Sequence, residues 1–130
     1  MQKGEMRFRR FKVVVPTTNG GRGVDTGGRV TAAIVYHGCK GDINNPTEYD
    51  WYSVQFSYCS PKERNENKKL GQFIAEARLY SRVYNRGGIM FSVVHPNQGL
   101  TTMIKGLIVD EAERKMIRWM MKLPKHYQLV

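Results

Sequence analysis

Residues 51–58 read WYSVQFSY, with Tyr52, Val54, Phe56 and Tyr58 alternating against Ser53, Gln55 and Ser57. Successive side chains of a strand point to opposite faces, so this period of two predicts a strand with one apolar face. Residues 29–36 (RVTAAIVY) repeat the pattern, with Val30, Ala32, Ile34 and Tyr36 on one side. Residues 7–15 (RFRRFKVVV) mix basic and apolar positions before a β-branched run. Phe8 and Phe11 break strict alternation there, which allows a bulge or a late start to the strand. Residues 89–94 (IMFSVV) predict a fourth strand, closed by His95-Pro96-Asn97. Between these runs, residues 17–28 (TTNGGRGVDTGG) have too much backbone freedom for a strand and read as a flexible loop. Residues 38–50 read as a second loop, with Asp42, Glu48 and Asp50 solvated in it.

After residue 59 the period changes. Ser60-Pro61-Lys62-Glu63 combines an N-cap serine, a proline at the first helical position and the glutamate of a capping box. Leu70, Phe73, Ile74, Ala77, Ser81 and Tyr84 then recur at helical spacing as far as Asn85-Arg86-Gly87-Gly88. On a helical wheel, Leu70, Phe73, Ile74, Ala77 and Tyr84 share the face expected to pack on the sheet. Arg64, Lys68, Arg78 and Arg82 fall roughly a quarter to a third of a turn away, around Gly71 and Ala75. Residues 99–109 fit a strand or a short helix. Asp110-x-x-Glu113 then reads as the start of a last helix with Ala112, Met116, Met120 and Leu123 on its apolar face, stopped by Pro124. The order of elements predicts an α+β fold. A mainly antiparallel sheet of roughly four strands carries a central long helix and a C-terminal helix.

Composition narrows this picture. A length of 130 residues suits one domain, so residues 1–130 read as a single basic unit with its glycine-rich loop at 17–28. At 41% hydrophobic residues the chain has material for a core, unlike a disordered segment. Lys and Arg number 21 against 11 Asp and Glu, a net charge of +10 that favours polyanionic partners. Two cysteines beside seven methionines suit a reducing cytoplasm rather than a disulfide framework. The opening MQKGEMRFRRFKVVVP has no long apolar segment, so neither a signal peptide nor a membrane partner is expected.

The cations fall into groups that suit phosphate contacts. Arg7, Arg9, Arg10 and Lys12 interleave with Phe8 and Phe11, as in surfaces that stack bases between positive charges. The central helix offers Arg64, Lys68, Arg78 and Arg82, with Gly71 and Ala75 as a floor for close approach. The C-terminal helix offers Arg114, Arg118 and Lys122, and the glycine loop offers Arg22. Each group also has a plainer reading, since charges commonly solvate a helix and phenylalanines commonly fill a core.

Catalytic motifs are not found. The glycine loop matches neither the Walker nor the dinucleotide fingerprint, and the histidine-glutamate and paired-cysteine signature of deaminases is missing. His37, Cys39, Cys59 and His95 include no CxxC or HxxxH pair, and each ends a predicted strand, so no metal and no cofactor are expected.

Ser60-Pro61-Lys62, followed by Lys68-Lys69-Leu70-Gly71-Gln72-Phe73-Ile74-Ala75-Glu76-Ala77-Arg78-Leu79, resembles a segment of small, largely uncharacterised phage and plasmid proteins. That segment reads S-P-K-D, then R/K-K-x-G-R-x-I-A-x-G-R-L. Here Gln72 replaces its first arginine, Ala77 its second glycine and Glu63 its aspartate. The resemblance implies a mobile-element origin in a bacterial host and supplies no activity. The function expected is non-enzymatic binding of DNA (single-stranded DNA included) or RNA, as a replication or regulatory factor. The alternative is a module that docks on an acidic host protein such as a polymerase or defence factor. Self-association is left open.

Overall fold

The computed structural model describes residues 1–17, 23–60, 68–80 and 87–130. In chain order the elements are β1 (Met6–Val15), β2 (Val24–Asp42), β3 (Asn45–Cys59), α1 (Lys68–Tyr80), β4 (Ile89–Val94), α2 (Leu100–Arg114), α3 (Ile117–Met120) and β5 (Gln128–Leu129). The fold is α+β, and the sheet has five antiparallel strands in the order β4-β3-β2-β1-β5. Four of the strands contain the runs that the alternation predicts, but β2 and β3 continue through residues 38–42 and 45–50, expected as a loop, because the two strands keep pairing from Gly38–Trp51 to Asp42–Asn45. The fifth, two residues long, pairs with Val13 and Val14 of β1 and is too short to carry a periodic signal.

Register assigns each strand residue to a face. Val30 pairs with Phe11 and Tyr58, Ala32 with Phe56, and Ile34 with Val54. These residues, with Tyr52, Phe91 and Val93, form the main core. Burying rings of this size accounts for much of the driving force, at about 25 cal/mol per Å² of apolar surface. Ile104, Ile108 and Ala112 of α2 cover that face at a helical repeat, joined by Ile117 and Met121. The segment 99–109 is therefore helical. Asp110 and Glu113, expected to open a helix, lie inside α2, because the buried stripe runs unbroken from Ile104 to Ala112.

The C-terminal helix also differs from expectation. Met116 adopts a left-handed backbone (φ 56°), which ends α2 and redirects the chain into α3. Ile117, Met121 and Leu123 turn inward as a result, whereas Met116 and Met120 are exposed.

The opposite face of the sheet is small and polar. There Ala33, Val35, Ala75 and Leu79 make a second, smaller cluster, edged by Thr31, Ser53, Gln55 and Ser57. α1 packs on this face in a register other than the one its apolar residues suggest. Ala75 is 0% exposed and Phe73 is 68% exposed, with Leu70 and Tyr80 also outward. The inward stripe is Gly71, Ala75 and Leu79. A Cβ on Gly71 would stand 3.0 Å from Thr31 Oγ1, and the Ser57 hydroxyl donates to Gly71 O at 2.8 Å. Large side chains at 71 and 75 would hold the helix off this floor, so small ones stand there, and Leu79 is the large α1 residue packed inward. The capping box at 61–63, the tip of the glycine loop at 18–22 and Tyr84 lie outside the described residues. Residues 24–28, expected in the loop, belong to β2.

Candidate functional site

The structure divides the cations between the two sides of the sheet. Arg114, Arg118 and Lys122 lie with α2 and α3 on the side of the main core. Arg118 is committed locally: its Nε donates to Glu113 Oε1 at 2.9 Å, and its guanidinium lies 4.7 Å from the Trp119 ring centroid. Lys68 and Arg78 belong to α1 on the other side. Arg22, Arg64 and Arg82 lie outside the described residues.

On the central helix, the expected contact floor is an internal packing surface. Gly71 and Ala75 face the sheet, so no ligand reaches them. Arg78 Nη1 donates to Phe56 O at 2.8 Å, capping a part of β3 that extends past its pairing with β4. Beside it opens a cleft of about 670 Å³ lined by Gln55, Tyr58, Arg78, Glu111, Lys115 and Met120 among others. Glu111 is buried there. Its Oε1 accepts from Tyr58 OH at 3.2 Å and lies 3.6 Å from Lys115 Nζ. Its Oε2 has no hydrogen-bond partner among the described residues. Burial, reinforced by the adjacent carboxylate, pushes the Tyr58 phenol well above its usual value. A buried carboxylate makes this cleft a poor seat for a polyanion.

A smaller cleft of about 150 Å³ separates β1 from α1, and Phe8, Arg9, Arg10, Thr31, Lys68 and Gln72 line it. Its geometry follows from register. Arg10 pairs with Thr31 and Lys12 with Arg29, which puts these β1 cations on the α1 side. Helix α1 packs chiefly on β2 and β3, and β1 lies at its side. Phe8, on the same face, keeps 37% of its surface exposed, whereas Phe11 is in the core. Arg9 borders the cleft, but its guanidinium sits 5.8 Å from the Phe11 ring centroid, on the other face. Arg7 is paired with Glu5 at 3.3 Å. Arg29 holds Asp25 through two hydrogen bonds of 2.7 and 2.8 Å, and these hold the Asp25 carboxyl down to about 2. Of the expected site residues, Arg10, Lys12 and Lys68 therefore gather on one side, with Phe8 as an aromatic platform. None of the described residues lining this cleft is acidic.

A third assembly lies where β2, β3 and β4 meet, and the sequence reading missed it. Asp50, expected to be solvated, is 1% exposed. It accepts from Tyr36 OH at 2.8 Å, and both of its oxygens lie within 3.0 Å of His95 Nδ1. The hydrogen bond to Asp50, with burial, pushes the Tyr36 phenol up to about 12. Tyr52 OH donates to Asn97 Oδ1 nearby. Of the four thiol and imidazole groups weighed from sequence, Cys39 and His95 converge here, while His37 bonds Ser53 Oγ at 2.5 Å. The sequence offered no local signal for it, because the residues that converge lie far apart in the chain.

No helix among the described residues is long and apolar enough to cross a membrane. No family model, curated protein or solved structure matches the chain.

Proposed function

We propose that the protein binds nucleic acid without catalysis, as a single strand laid along β1 and the N-terminal half of α1. The observation that carries this reading is the β1/α1 cleft, where a half-exposed Phe8 ring lies among Arg10, Lys68 and Thr31, with no carboxylate among its described lining residues. Base stacking on an aromatic ring contributes about 1–3 kcal/mol per base, and cations beside it follow the phosphates. Duplex DNA would need a helix or ribbon that enters a groove, and a cleft this narrow suits an unpaired base instead. The net charge of +10 supports steering of a polyanion toward this edge. Such a role suits a replication or regulatory factor, and the resemblance over residues 60–79 implies a phage or plasmid origin.

The plainer reading of the arginines is that they protect an edge strand. β5 and Val130 pair with Lys12, Val13 and Val14, so among the described residues the earlier part of β1 is open to edge-to-edge association, and charge discourages that. Polarisation with labelled oligonucleotides separates the two readings. Binding reduced by Phe8→Ala and by Arg10→Glu supports the site, and binding indifferent to both assigns the arginines to edge protection.

One observation favours the second functional reading, docking on an acidic protein. Leu70, Phe73 and Tyr80 expose an apolar stripe on the outer side of α1, next to Lys68 and Lys69. Phe73→Glu distinguishes the readings, because it removes a protein contact and leaves the β1/α1 cleft intact.

A further inference from the structure

We propose that Cys39, Asp50 and His95, with Glu48 as fourth ligand, form a binding site for Zn²⁺ at the corner where β2, β3 and β4 meet. One donor atom from each of Cys39, Asp50 and His95 lies within 4.8 Å of the others. Tetrahedral zinc with thiolate, imidazole and carboxylate ligands holds them about 3.4–3.6 Å apart, given bonds of about 2.0–2.3 Å. Zinc between them would take the place of the hydrogen bond between His95 Nδ1 and Asp50, and rotation of the Cys39 and Glu48 side chains closes the site. Glu48 Oε2 already lies 3.7 Å from Cys39 Sγ.

The backbone around the site is specialised for this convergence. Tyr36 pairs with Tyr52, but the next pairs are Gly38 with Trp51 and Cys39 with Asp50, so β2 carries one extra residue. Gly38 takes up this bulge at φ 101°, a conformation that side chains other than glycine rarely adopt. In an unbulged register Gly38 would stand opposite Asp50. The bulge puts the thiol there instead. His95 is delivered by the end of β4, where its N–H donates to Glu48 O at 2.9 Å.

The donor set argues for zinc over the hard cations. Calcium and magnesium take oxygen ligands, whereas one thiolate and one imidazole beside carboxylates suit a borderline ion. The Glu48 and Asp50 carboxylates beside the thiol supply negative charge that attracts a dication. Such surroundings argue against a cysteine nucleophile, which needs positive neighbours to ionise. When zinc binds, the thiol proton goes to solvent and the metal replaces it, so uptake releases about one proton per ion.

The test uses the full chain with Co²⁺ as a spectroscopic stand-in. A near-ultraviolet thiolate-to-cobalt band and intense visible bands of a tetrahedral ion are expected, saturating at one ion per chain. They should vanish in Cys39→Ser and His95→Ala and persist in Cys59→Ser, with folding checked by circular dichroism. Folded wild-type protein without these bands overturns the proposal, as do bands that depend on Cys59. A second measurement needs no variant: Zn²⁺ should protect Cys39 from iodoacetamide and leave labelling of Cys59 unchanged. Equal labelling of Cys39 with and without Zn²⁺ also overturns it.

Discussion

On the α2 side of the sheet the strands present the rings of Phe11, Tyr52, Phe56 and Phe91. On the α1 side the same strands present Thr31, Ala33, Ser53, Gln55 and Ser57. The first face is sealed by volume, with large side chains filling the space under α2. The second is sealed by proximity. Gly71 and Ala75 let α1 come close, and the hydrogen bond from Ser57 to Gly71 O fixes it there. A helix held this way turns its own large residues outward and need not cover the whole sheet. Among the described residues α1 covers β1 least, and there Phe8 and Lys12 are exposed. The thinly covered face thus carries the candidate nucleic-acid site, and the thickly covered face carries the stability.

This contrast is open to mutation. Ala75→Glu should have the largest effect, at about 4 kcal/mol or more, because it buries an unpaired charge where the helix touches the sheet. Denaturant unfolding near the wild-type midpoint would mean that α1 stands off the sheet. Phe56→Ala should cost about 3–5 kcal/mol through the cavity left in the main core. Ser57→Ala should cost about 1 kcal/mol, the value of one hydrogen bond to Gly71 O. Phe73→Ala should stay within about 0.5 kcal/mol of wild type, as for an exposed side chain. A loss of several kcal/mol at Phe73 would restore the helix register that hydrophobic spacing suggests.

The smallest expected effect concerns pH. Arg29 holds the Asp25 carboxyl at about 2 in the folded chain, against a usual 3.8. A depressed folded value contributes stability that is present above the unfolded value and lost as pH falls through the folded one. The acid limb of a melting-temperature profile should therefore lose a small component between about pH 4 and 2 in Asp25→Asn. An unchanged profile would show that this exposed pair contributes nothing to stability.

The strands were legible because both faces of β3 obey a period of two, from Tyr52/Val54/Phe56 inward to Ser53/Gln55/Ser57 under α1. The register of α1 was not legible. Leu70, Phe73 and Ile74 cluster in its first half, and spacing alone cannot reveal that the sheet below is small and hydroxylated. Gly71 was the sequence signal for close approach, and the group approaching it is the protein's own strand. The basic character of β1 could be read directly, and Phe8 could be named, but the pairing of Arg10 with Thr31 decides which side they share. The Cys39–Asp50–His95 corner was illegible for a different reason. It depends on a one-residue bulge at Gly38 and on residues 45 positions apart, neither of which leaves a local motif.

The most direct test of nucleic-acid binding at the β1/α1 edge is a salt series with a labelled single-stranded oligonucleotide, comparing wild type with Arg10→Ala/Lys68→Ala. Three phosphates neutralised by Arg10, Lys12 and Lys68 give a slope of about −2 in log K against log salt, or about a twentyfold loss between 50 and 200 mM. The double variant should lower that slope to about −0.7 while its melting temperature holds. Wild-type affinity that is flat with salt, or a slope that the double variant leaves unchanged, would contradict the account.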